Sequence, residues 1–159
     1  MTFAGWLGRG LLAATLVAAA DGPFDINLFN TPTSPGVQGH ARLVYAQSPF
    51  GIAVTADGRA SYDVQIHATG LADPSTLGPY TKYVAWAVTT DLAHWDRLGV
   101  VTNGDNAVGH AERNKFLLVI AAESSATSPH AGPTVLHGTS PSGWLQSFLS
   151  HPLFRGIPP

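Results

Sequence analysis

The chain predicts an all-β fold, a seven-stranded antiparallel β-sandwich of the immunoglobulin-like kind over residues 39–140. Three observations point there. Short runs of apolar and β-branched residues recur at nearly regular spacing, with Gly, Pro, Asn and Asp between them. Charged residues make up 11% of the 159 positions, against about 25% in an ordinary soluble domain, while 17 glycines and 12 prolines supply turns. One run, Ser61 to Thr69, alternates cleanly: Tyr62, Val64, Ile66 and Ala68 face one way, and Ser61, Asp63, Gln65 and His67 the other.

Taken in order, residues 1–20 set Arg9 before an apolar run that closes on Ala18-Ala19-Ala20, the pattern of a signal peptide cut ahead of Asp21. The alternative is a retained N-terminal membrane anchor, with Arg9 snorkelling outward. Either way the remainder is expected to be periplasmic or otherwise extracytoplasmic. Residues 21–38 hold Pro23, Pro32 and Pro35 and no usable period, and are expected to form an extended linker. Strands are expected at Ala41 to Ala46, Gly51 to Thr55, Ser61 to Thr69, Lys82 to Thr89, Leu98 to Thr102, Asn114 to Ala122 and Pro133 to His137. Gly70 to Tyr80 is a loop and Asp91 to Trp95 a turn. The run NKFLLVIAA is apolar at consecutive positions, as in a strand buried on both faces. Tyr62, Val64, Ile66, Trp86, Phe116, Leu118 and Ile120 are the expected core. Residues 141–159 change character: Trp144, Leu145, Phe148 and Leu149 make one stripe of a short helix stopped by Pro152, with Phe154 beyond it.

Several function classes fall away on composition. With no cysteine, a disulfide framework, a lipid-modified N-terminal cysteine, attached c-type haem and a blue-copper thiolate are all excluded. Eight scattered Lys and Arg in a chain of net charge −2 form no phosphate-tracking stripe, so nucleic acid is not an expected partner. Seven histidines invite a metal, yet none stands at HxH or HxxxH spacing. If a metal binds, His110, His130 and His137 are the set whose loops would converge at one end of a sandwich. The segment Gly138 to Gly143 fails the G-x-S-x-G frame and is turn chemistry. Glu112 and Glu123 flank the NKFLLVIAA strand and stand about 30 Å apart at ~3.3 Å per residue, too far to act as a pair. No catalytic residue and no cofactor is expected, and the protein is not expected to be an enzyme. Trp95, in its turn, and Trp144, on the terminal stripe, are candidate contact residues for a partner.

The succession DVQIHATGLADP, YVAWAVT, RLGVVTNG, KFLLVIAAE and GPTVLHG resembles the extracytoplasmic domain of anti-sigma-K-type (RskA-like) factors. The resemblance implies a small β-sandwich hanging from a single transmembrane helix. Only a few residues precede the apolar run here, so sigma-factor inhibition is not expected to carry over. The function expected from the sequence is that of a non-enzymatic exported binding protein. It would be an accessory subunit docking on the outer face of an envelope membrane complex through Trp95, Trp144, Leu145, Phe148, Leu149 and Phe154. The membrane itself is touched only if residues 1–20 are retained. A histidine-based periplasmic metal carrier and a sensor-type domain are the alternatives.

Overall fold

The computed structural model describes residues 24–47, 54–125 and 129–141. These form eight strands: β1 (Asp25–Asn30), β2 (Gln38–Tyr45), β3 (Ser61–Thr69), β4 (Lys82–Val88), β5 (Trp95–Val101), β6 (Gly104–Glu112), β7 (Leu117–Glu123) and β8 (Thr134–Thr139). One 3₁₀ turn, Pro74–Leu77, is capped by the Asp73 carboxylate, which accepts from the Ser75 amide at 2.9 Å. The strands make a single antiparallel sheet in the order β5-β4-β7-β8-β1-β2-β3-β6.

β1 stitches the two halves of this sheet together. Its first residues, Asp25 to Leu28, pair with Arg42 to Gly39 of β2, and its last, Phe29 and Asn30, pair with His137 and Leu136 of β8. The two free edges, β5 and β6, then come side by side. Each carries an extra residue: Leu98 beside the register shift at Ala85/Trp86, and Val108 beside that at Val64/Gln65. Such bulges bend a strand and sharpen its twist. Glycines let the bulges meet. A Cβ at Gly99 would lie 2.8 Å from the Val108 carbonyl oxygen, and one at Gly109 would lie 3.0 Å from that of Leu98. The sheet is thereby nearly closed into a barrel.

The interior is filled by the inward-facing residues of every strand, among them Ile26, Leu28, Leu43, Tyr62, Val64, Ile66, Phe116, Leu118, Ile120 and Leu136. All seven residues expected in the core are buried. Trp86, however, lies outside the barrel in a second apolar cluster with Val84, Val88, Val119 and Ala121. The cause is legible in β4 and β7. Both are apolar at consecutive positions, so both of their faces are buried, whereas β3 alternates and keeps its outer face wet.

The all-β, antiparallel expectation holds, and the finer architecture differs. Eight strands in one curled sheet replace seven strands in an immunoglobulin-like sandwich. Residues 21–38 were expected to be a linker, yet Asp25–Asn30 is an interior strand that buries Ile26 and Leu28. Pro32 and Pro35 lie in the turn that follows the strand, where the Ser34 hydroxyl donates to the Val135 carbonyl at 2.7 Å and that of Thr31 to the Thr134 carbonyl at 2.7 Å. Gly104–Glu112 went unrecognised because its Gly, Asp and Asn content speaks against a strand. Of the expected strand Gly51 to Thr55, the described part contributes one bridge, Val54 to Ala60. The expected helix within 141–159 lies outside the described residues, beyond Pro141.

Candidate functional site

The turn between β4 and β5 is an exposed feature held in a constrained backbone conformation. Leu92 sits there with φ +62°, the one non-glycine residue with positive φ among the described residues. A left-handed conformation costs an ordinary residue about 1–2 kcal/mol, and it is a genuine outlier for a bulky one. Yet the Leu92 side chain is 57% exposed, so packing in the core does not account for it. Local hydrogen bonds fix the turn. The Leu92 amide donates to the Thr89 carbonyl at 2.8 Å, and the Thr89 amide donates to the His94 carbonyl at 3.0 Å. The Thr89 hydroxyl accepts from the His94 amide at 3.0 Å, and the Asp91 carboxylate accepts from the Ala93 amide at 3.1 Å. The Thr89 hydroxyl, and after it the Ala93 amide, holds the Asp91 carboxyl below its ordinary range. Finally the Trp95 indole donates to the Leu92 carbonyl at 3.1 Å, locking the ring to the turn.

Trp95 is half-buried because a second set of groups grips its other side. The His130 ring stacks on it with centroids 4.0 Å apart and planes within 8°. His130 Nδ1 faces the Glu123 carboxylate at 2.8 Å, and the second carboxylate oxygen accepts from the Ala131 amide at 3.3 Å. Glu123 is 1% exposed, and the pairing answers the cost of burying its carboxyl group. Trp86 meets both rings edge-on, at 6.3 Å from Trp95 and 5.8 Å from His130. Arg97 lies over the Trp86 ring, 5.2 Å from its centroid, in cation–π geometry. The Trp86 Nε1 is buried without a hydrogen-bond partner. This clamp ties the segment before β8 to β4, β5 and β7, and it presents Trp95 and Leu92 as a rigid unit. At the far margin of the same outer face, Phe29 is 62% exposed beside His137.

The histidines expected to share a metal are dispersed. His110 pairs with Asp63 on the outer face of β3 and β6, His130 with Glu123 in the clamp, and His137 lies against Phe29 on β8. The expected convergence required the loops of a sandwich to meet at one end, whereas two of these residues sit within strands. Among the described residues no three His, Cys, Asp or Glu groups gather as metal ligands. His40 and His67 stack across β2 and β3 with centroids 5.2 Å apart, and His67 Nδ1 meets Asp105 at 2.6 Å. Ser140 is buried, its hydroxyl accepting the Phe116 amide at 2.8 Å, as befits turn chemistry. Trp95, a candidate contact residue, is the half-buried first residue of β5. Trp144, Leu145, Phe148, Leu149 and Phe154 lie outside the described residues.

Leu92 and the Glu123–His130 pair were not foreseen. Nothing in the string Thr-Asp-Leu-Ala-His marks a positive φ at Leu, and the pair spans a loop whose path the sequence does not give. No described helix is long and apolar enough to cross a membrane. Comparison with known proteins returns no match, neither a family model, nor a curated protein, nor a solved structure.

Proposed function

We propose that this protein is a non-enzymatic, exported binding module, an accessory subunit that docks on the outer face of an envelope membrane complex. The observation that carries the proposal is Leu92. A glycine would hold the same backbone without strain, so an exposed leucine in that conformation points to a role for its side chain outside the domain. Trp95, immobilised by its hydrogen bond and its stack on His130, adds a rigid aromatic anchor of the kind that dominates protein interfaces. Pre-fixing such groups lowers the entropy lost on docking. The apolar residues Trp144, Leu145, Phe148 and Leu149, on their expected short helix, and Phe154 beyond it are the second contact in this reading. The apolar leader 1–20 and the resemblance to RskA-like extracytoplasmic domains support the compartment.

The test is partner recovery from solubilised, cross-linked envelope membranes with the full chain and with Leu92→Gly. The variant should fold at least as stably as the parent and recover the membrane partner at least ten-fold less well. Equal recovery by both proteins, or no membrane partner cross-linked to the parent, overturns the proposal.

A further inference from the structure

The outer face of β1, β2, β3 and β6 carries a row of polar groups that the docking proposal does not use. In register across the four strands stand Asn27, His40, His67 and Asp105. Their neighbours Ala41, Ile66 and Ala68 are buried in the barrel, so this row points out, and His40, His67 and Asp105 line a groove of about 460 Å³. His40 and His67 are directly opposed, and their rings stack 5.2 Å apart at 23°, so side-chain rotation is needed to aim both in-plane lone pairs at one ion. The β-carbons of opposed residues are only about 4.5–5.5 Å apart, close enough for two side chains to grip one ion.

The placement of Asp105 gives the pair a direction. Its carboxylate lies 2.6 Å from His67 Nδ1. With the proton on Nδ1 donated to that carboxylate, the lone pair of His67 is on Nε2, at the ring edge away from Asp105. This is the arrangement by which a carboxylate fixes the tautomer and raises the basicity of a metal-binding imidazole. Arg42 lines the same groove, and its charge is offset by Asp25 at 2.9 Å.

From this geometry we propose that His40 and His67 form an open, exchangeable site for a divalent transition metal, with Asp105 as the positioning residue for His67. Two neutral imidazole nitrogens at about 2.0–2.1 Å hold the ion, and water fills its other positions. Imidazole ligands and the general order of divalent affinities make Cu²⁺ the preferred occupant, ahead of Ni²⁺ and Zn²⁺. Having two protein ligands, the site is built for capture and release of an ion and differs from a closed structural centre.

The experiment titrates the full chain with CuCl₂ by calorimetry and reads the bound ion by electron paramagnetic resonance. One equivalent should bind, with nitrogen hyperfine structure. His40→Gln and His67→Gln should each weaken binding at least 100-fold, with unchanged circular dichroism. Asp105→Asn should weaken it about 10–100-fold and keep the nitrogen signature. His137→Gln should bind as the parent does. No stoichiometric Cu²⁺ binding, or binding unaltered in His40→Gln and His67→Gln, overturns the site. Binding unaltered in Asp105→Asn overturns the role given to that residue. None of these results depends on whether a protein partner docks at Leu92.

Discussion

Closure of the barrel rests on the two glycine bulges of β5 and β6, and Gly99→Ala tests it. Gly99 has no left-handed φ, so alanine brings no backbone strain of its own. The new Cβ would stand 2.8 Å from the Val108 carbonyl oxygen, 3.2 Å from its Cα and 3.3 Å from its carbonyl carbon. All three are backbone atoms of the facing strand, which a side-chain rotation cannot clear. The strands must separate, and overpacking of this kind costs about 1–3 kcal/mol. Alanine also narrows the unfolded ensemble, returning about 0.4–1 kcal/mol. Taking the middle of both ranges, the expected net loss is about 1.3 kcal/mol. Urea unfolding followed by tryptophan fluorescence would show it as a lower midpoint with an unchanged slope. Gly58→Ala is the control, because its Cβ meets nothing within 4 Å while its φ of +79° imposes strain alone. A Gly99→Ala protein as stable as the parent would refute the close approach of β5 to β6.

Three further outcomes follow from the packing. Phe116→Ala, at a fully buried site, should cost about 3–5 kcal/mol in urea unfolding through lost transfer energy and the cavity left behind. Glu123→Ala should cost about 1.5–3 kcal/mol, the range for hydrogen bonds to a charged group, and should shift the Trp95 emission as His130 loosens. Burial, and after it the neighbouring Tyr45, pushes the Tyr62 phenol above its ordinary range. The folded state thus favours the neutral phenol. Its contribution is complete below the unfolded value of about 10 and is lost as pH rises beyond it. Unfolding midpoints should fall on the alkaline side, and Tyr62→Phe should remove much of that fall.

Where hydrophobic pattern and register agree, the sequence was sufficient. β3 has its expected bounds because four alternating apolar residues admit one register, and a slip by one would expose them all. β7 was legible as a doubly buried strand from its consecutive apolar run. β1 and β6 were hidden because each puts few residues into the core, two in the one and Val108 and Ala111 in the other. A strand of that kind is held by its neighbours, and pairing partners a hundred residues away leave no local trace. The same holds for the site. Trp95 could be picked out as an aromatic residue in a turn, but the strain at Leu92 arises from the hydrogen bonds of the folded turn. The Glu123–His130 clamp needs the loop to return to β7 before it exists.

The stitching of β1 to β8 also bears on when this chain can fold. The hydroxyl of Thr31 finds its acceptor on Thr134, 103 residues later. Until that late segment is present, β1 has β2 alone beside it, and the half of the sheet built on β8 has no anchor. Folding dominated by such distant contacts is slow, in the millisecond-to-second range. With β1 waiting for β8, the chain stays pliable until the residues up to Thr139 are present, and the sheet closes only then.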